Sequence, residues 1–253
     1  MTRGTKQIPG QMTIEMCINR NNYVVQANDL IGGRQALGLN SAKLIRAAVM
    51  QIKPEDNEIK PYVVTIKQLS ELLEVSPQNL YRDIDEITND IIANPVFIKA
   101  EDGKRVKWVK IPWVEFCQYE SDVGVSLQLN LSLKPFLIAL KSHYTQYTLE
   151  NVLSMKSVYA IRIFEMILSK IMTPILPKKG THVILGLEEI ISGCELSDTY
   201  KIITNLKKRV LDVAVNEIKR VTFYDVSYEN VKNGRKVEAF DFYVNMKYHN
   251  PAV

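Results

Sequence analysis

The stretch from Tyr200 to Arg220, YKIITNLKKRVLDVAVNEIKR, carries the side chains in this chain best suited by type and spacing to surface chemistry. On a helix turning about 100° per residue, Ile202, Leu206, Val210, Val213 and Ala214 share one side, flanked by Ile203, and that side must pack. Lys201, Thr204, Asn205 and Lys208 lie opposite with Asp212, while Lys207 and Arg209 flank the apolar stripe. Donors and acceptors so arranged suit the base edges of a DNA major groove. Lysine reaches guanine acceptors, asparagine can pair with adenine, and flanking cations meet phosphates. Lys201, Thr204, Asn205 and Lys208 are therefore the expected base readers, and Lys207 and Arg209 the expected phosphate contacts. In isolation such a helix is more often an ordinary amphipathic element with a solvated outer face, so its setting has to decide.

The setting is an arrangement met twice. In the first pass Ser41 is placed to cap a helix running to about Gln51, and YVVTI (Tyr62 to Ile66) alternates as a strand. Thr65 and Gln68 have capping-box spacing for a helix to about Leu73, and Ser76-Pro77 opens a second helix after the short link EVS. Two helices so joined suggest a helix-turn-helix. VFIKA and RVKWVKI then flank Asp102-Gly103 as a hairpin, VSLQLNLSL alternates as another strand, and Ser132 with Pro135 opens a helix toward Leu140. The second pass follows the polar connection HYTQYTLEN. It contains a helix over Lys156 to Met172 stopped by Pro174 and Pro177, the strand HVILG, a short helix from Leu187, the stretch quoted above, and a hairpin around Asn233-Gly234. A helix-turn-helix followed by a β-hairpin is the winged-helix arrangement. The expected fold is α+β, two tandem winged-helix domains: a loose tail over residues 1–22, a first domain over 23–148 and a second over 149–253.

The two reading positions differ in charge. In the first domain Leu80, Ile84, Ile87 and Ile91 form the core stripe of the equivalent helix, and its outer surface carries Asp83, Asp85, Glu86 and Asp90 around Arg82. A phosphate backbone repels such a surface. Contact there would fall to Arg82 and the hairpin cations Lys104, Arg105, Lys107 and Lys110. In the second domain Lys232, Arg235 and Lys236 cluster at the hairpin tip and are expected on phosphate, whereas Lys178 and Lys179 read as a basic loop.

Whole-chain properties fit this reading. The chain has 253 residues, 46% of them hydrophobic, so it can bury a real core, and a net charge of +4 permits a polyanion partner without specifying one. No apolar run is long enough to cross a membrane and the N-terminus lacks a secretory leader pattern, which points to the cytoplasm. Cys17, Cys117 and Cys194 are far apart and suit free thiols.

Several segments together resemble one family, the iteron-binding replication initiators of theta-replicating plasmids, to which the F-plasmid initiator belongs. They are VVQANDLI, YTQYTLEN, YAIRIFEMI, NLKKRVLDVAVNEIKRVT and YENVKNGRKVEAFDFYV, in this order between roughly Tyr23 and Tyr248. The resemblance implies sequence-specific binding of direct repeats in double-stranded origin DNA, chiefly by the second domain, with help in opening the origin. It also implies recruitment of host replication proteins, a replicative helicase with its loader and host initiators, and a homodimer through the first domain that represses the initiator's own gene. In F-plasmid-like members the run at Lys207-Lys208-Arg209 is all arginine; lysine lacks the guanidinium fork, so base preference should differ here.

An enzyme is not expected. His143, His182 and His249 are isolated from one another, no phosphate-binding G-x-x-x-x-G-K-[ST] occurs, and Glu188-Glu189 and Asp83-Asp85 fit helix surfaces, so no metal or cofactor is anticipated. The competing binding function is a winged-helix transcriptional regulator without replication activity. Its contacts with DNA would be physically the same, and only the resemblance separates the two.

Overall fold

The computed structural model describes residues 14–102, 105–171 and 180–247; the side chains of 100–106 lie outside the described set. The chain runs through β1 (Ile14–Glu15), β2 (Tyr23–Ala27), α1 (Asn28–Gly32), α2 (Leu39–Val49), β3 (Pro61–Val64), α3 (Ile66–Leu73) and α4 (Pro77–Ala93). Next come β4 (Val96–Asp102), β5 (Arg105–Ile111), β6 (Val114–Glu120), β7 (Gly124–Leu129), α5 (Lys134–Leu137), β8 (Tyr144–Thr148), α6 (Leu149–Leu153) and α7 (Val158–Lys170). β9 (Thr181–Gly186) and α8 (Leu187–Gly193) precede a helix in three parts: α9 (Ile203–Leu206), a π-helical turn (Lys207–Leu211) and α10 (Asp212–Val221). β10 (Tyr224–Asn233) and β11 (Lys236–Met246) follow.

Local chemistry explains the first helix-turn-helix. The Thr65 hydroxyl accepts from Gln68 N–H at 3.2 Å while the Gln68 side chain accepts from Thr65 N–H at 3.0 Å, the reciprocal cap that its spacing predicts. α3 ends at Glu74, whose φ of 56° turns the chain, and Ser76 caps α4 with Pro77 in its first turn. Leu80, Ile84, Ile87 and Ile91 are all buried, as the stripe requires. β4 and β5 pair antiparallel as the hairpin beyond it; the turn residue Gly103 lies outside the described residues. In the second unit β11 pairs with both β10 and β9, and the hairpin turn at Gly234 and Arg235 uses a φ of +60° at Gly234.

Three expectations need correction. Ser41 does not cap α2. The helix begins two residues earlier, at Leu39, where the Asp90 carboxylate of α4 accepts the Gly38 N–H at 2.8 Å, and the buried Ser41 hydroxyl donates to Ile87 O instead. The helix expected from Ser132 is a 3-10 turn over Leu131–Leu133 capped by Asn130, then the single turn of α5. Residues 14–22, assigned to the loose tail, are packed. β1 pairs in parallel with β3, Met16 is buried, and Arg20 bonds Glu150 at 3.0 Å. A two-residue strand carries too little periodicity to show in a sequence.

β2 pairs antiparallel with β8, joining the two ends of residues 23–148. Beside it lies a buried polar cluster. Glu165 of α7 is fully buried and receives Arg46 Nε at 3.1 Å and Nη2 at 2.9 Å, Arg162 Nη1 at 3.0 Å and Gln26 Nε2 at 3.2 Å. Tyr147 Oη also donates to it. Burial alone would raise the Glu165 carboxyl, but Arg46 and then Arg162 outweigh it and hold the group down at about 2. Arg162 Nη2 continues to the carbonyls of Ile31, Gly33 and Gly193 at 2.7, 3.0 and 3.2 Å, tying α1 to the end of α8.

Glu165→Gln leaves two buried guanidiniums facing no charge and should cost about 3–5 kcal/mol in urea unfolding at neutral pH. Because the carboxyl sits at about 2 against an ordinary 4.5, its stabilisation is complete above about pH 4.5 and is lost as pH falls toward 2. The variant should lack that acid-side loss; identical acid limbs in the two proteins would contradict this account.

Candidate nucleic-acid interface

The helix from Ile203 to Val221 is held from three sides. Leu206, Val210, Leu211, Ala214, Val215 and Ile218 are buried and pack it on the domain. Its last turns are tied to the segment before α7. Glu217 accepts the N–H of Lys156 at 2.7 Å and of Ser157 at 3.2 Å, and Arg220 Nη2 donates to Ser154 O at 3.1 Å. The wing fixes the middle. Tyr228 of β10 donates to Asp212 at 2.5 Å, its ring packs on Phe240 and Phe242, and Lys207 Nζ lies 5.4 Å from the ring centre. Burial, then Asp212 beside it, raises the Tyr228 hydroxyl well above its ordinary value, so it stays a donor.

The π turn changes the face. One wide turn inserts a residue, and the consecutive pairs Val210-Leu211 and Ala214-Val215 both reach the core. The uniform wheel put Ile202 and Val213 on the stripe, yet Ile202 is 58% exposed and Val213 only half-buried. Leu211 and Val215 take their place.

The sequence-predicted residues are distributed accordingly. Thr204, Lys208 and Arg209 are exposed on one helix, Thr204 in its first turn and the cations in the wide turn. Lys207 is half-buried against the wing. Lys201 is not on the helix. It ends a 3-10 turn over Asp198–Lys201 and pairs with Asp198 at 2.8 Å, and Ile202 is extended between the two. Asn205 is half-buried and its Nδ2 donates to Thr199 O at 3.2 Å, so it also braces that turn. Lys232, Arg235 and Lys236 are exposed together at the hairpin tip.

In the first unit α4 exposes Asp85, Glu86 and Asn89, and Arg82 is exposed but paired with Asp83 at 2.8 Å. Lys107 and Lys110 are exposed on β5. The cross-strand register sets Lys107 opposite Ala100 and Lys110 opposite Phe97, three residues apart on the strand, so they face opposite sides of the hairpin. Lys104, Lys178, Lys179 and His249 lie outside the described residues, as does the side chain of Arg105. Among the described residues no cluster of His, Cys, Asp or Glu could hold a metal, no helix is long and apolar enough to cross a membrane, and Cys17, Cys117 and Cys194 are free. Sequence reasoning missed Tyr228 and Asp212 as supports of the face, since their contact joins a strand to a helix and leaves no periodic trace.

This geometry, two helix-turn-helix units each followed by a hairpin, the second with exposed cations on its second helix, has counterparts. The family described as Initiator Replication protein, WH1, matches residues 23–168, and that described as Initiator Rep protein, WH2, matches 186–244. The chain belongs to the replication-initiator family. Its two units are the family's two winged-helix domains, and the initiator's α+β fold is shared by a solved structure described as the Pi initiator protein in complex with iteron DNA. That likeness has a TM-score of 0.72 at 16% identity over 91% of the initiator and 100% of the other chain. An uncharacterised 27.6 kDa protein of Escherichia coli is 20% identical over 164 residues, 60% of the initiator and 68% of the relative.

Tyr228→Phe keeps the ring and should cost about 0.5–1.5 kcal/mol for the missing hydrogen bond, whereas Tyr228→Ala also removes the packing on Phe240 and Phe242 and should cost clearly more. Urea midpoints compare them; equal losses would mean that the ring does not brace the wing.

Proposed function

We propose that this initiator binds direct repeats in double-stranded origin DNA chiefly through its second domain. The observation that carries the reading is Thr204, Lys208 and Arg209 exposed on the second helix of a helix-turn-helix, beside a wing tip bearing Lys232, Arg235 and Lys236. Family membership supports it, as does the likeness to an initiator bound to iteron DNA. Thr204 and Lys208 read base edges, with Asn205 able to join once its bond to Thr199 is released; Lys201 lies one turn outside the helix and reaches the groove edge. Lys207, Arg209, Lys232, Arg235 and Lys236 meet phosphates, and Lys107, Arg82, Lys104 and Arg105 supply the weaker contacts of the first domain. The protein acts by binding, without a catalytic step or cofactor, in the cytoplasm. Bound at the repeats it helps open the origin and recruits the host helicase, its loader and host initiators. A homodimer through the first domain represses its own gene.

Affinity for a repeat duplex and for random duplex separates the roles. Lys208→Ala, Thr204→Ala and Asn205→Ala should each lower the specific-to-random ratio by about 1–3 kcal/mol wherever a base edge is no longer read. Arg209→Ala should weaken both duplexes alike and make the slope of log K against log salt shallower by about 0.9. If none of the three reader variants alters the ratio, the assigned face is wrong. Sedimentation with and without repeat DNA examines the dimer; one unchanged oligomeric state in both would count against separate monomer and dimer roles.

A further inference from the structure

The first wing holds an exposed aromatic stack. Trp108 of β5 is 62% exposed although it is the larger partner of a stacked pair, with its ring centroid 5.6 Å from that of Phe97 and the planes 21° apart. The Arg34 guanidinium lies 4.0 Å from the centre of the Phe97 ring, and the Arg34 and Phe97 backbones exchange hydrogen bonds at 2.9 and 3.0 Å. Arg34 and Trp108 reach Phe97 from the segments on either side of β4, so guanidinium, phenyl and indole form one contiguous group on the hairpin, with the indole open to solvent. The pairing of Phe97 with Lys110, and of Lys99 with Trp108, puts both exposed lysines on the same face of the hairpin as the stack.

An indole so ordered has already given up its rotamer freedom and still presents apolar area to water. What covers it must bring a flat π face and tolerate, or seek, positive charge on either side. A nucleobase with its phosphate does both, since base–aromatic stacking is tolerant of sequence and the backbone follows cations. In a duplex each base face is covered by its neighbours, whereas an unpaired strand offers them freely. We infer that the Arg34–Phe97–Trp108 face, flanked by Lys99 and Lys110, is a stacking site for single-stranded DNA, separate from the duplex-reading helix of the second domain. This rests on the reading of the protein as one that binds origin DNA.

The chain supplies its own reporter, because it has two tryptophans and the other, Trp113, is fully buried. The full-length protein is titrated with an oligothymidylate while tryptophan emission is followed. Emission should be quenched in the wild type and in Trp113→Phe, where Trp108 is the sole tryptophan. Trp108→Ala should show no quenching and bind the oligothymidylate about tenfold more weakly, and Trp108→Phe should recover most of the affinity by keeping a stacking ring. Repeat-duplex affinity should be unchanged in Trp108→Ala, while Lys208→Ala should lose duplex specificity and keep the quenching. Persistence of quenching in Lys208→Ala after duplex specificity proves unaffected would sink the duplex reading alone. Equal oligothymidylate affinity in wild type and Trp108→Ala would overturn the inference. So would an equal loss on the duplex, which would make Trp108 a duplex contact, or a shift in emission with protein concentration without DNA, which would mean that a second copy covers the face.

Discussion

One buried carboxylate fixes the relation between the parts of this molecule. Glu165 sits inside the protein where an isolated charge is too costly to keep, and it remains ionised because Arg46 and Arg162 close on it with good geometry. Arg46 belongs to α2, Gln26 to β2, Tyr147 to β8, and Arg162 passes the constraint to the carbonyl of Gly193 at the end of α8. The Gln35 N–H reaches the same carbonyl at 3.4 Å. A β-carbon at Gly193 would come within 3.2 Å of Met166, so the helix end sits tightly against α7. The first helix of the second helix-turn-helix is thereby oriented by residues of the first domain. The helix from Ile203 to Val221 is in turn anchored to the segment entering α7 through Glu217 and Arg220. A hydrogen-bonded charge cluster tolerates little displacement of its members, so the parts it joins are held at a set relation.

Much of this was legible where a local rule and the tertiary structure agree. The Thr65/Gln68 box, the Ser76-Pro77 start and the stripe of α4 each satisfy a short-range requirement, and Gly234 supplies the positive φ that its turn needs. Three features were hidden for physical reasons. The buried Arg162 and Glu165 are three residues apart and look like a solvated ion pair on a helix surface until partners distant in sequence are known. The pairing of β2 with β8 joins residues far apart in the chain, and no periodicity records it. The helix starts only after Ile202, which is extended and exposed, and the π turn breaks the uniform rotation on which a helical wheel depends, so that Leu211 turns to the core.

The candidate face shows the same division. The cluster of cations falls on one helix, but the turn geometry decides which of them project. Lys208 and Arg209 stand out together, Lys207 leans on Tyr228, and Lys201 belongs to the preceding turn. The two second helices differ in charge: α4 presents acids where the second domain presents cations, and on the first hairpin Lys107 and Lys110 are exposed. The two units therefore share a shape and differ in the surface they offer to a polyanion.

On the proposed function, the helix from Ile203 to Val221 enters a major groove. Methylation interference on a repeat duplex tests it most directly, because methylating guanine N7 alters the major groove and methylating adenine N3 alters the minor groove. The account predicts that guanine N7 methylation within the repeat blocks binding, and that Lys208→Ala relieves the effect at one guanine. Interference confined to adenine N3, or none within the repeat, would contradict it.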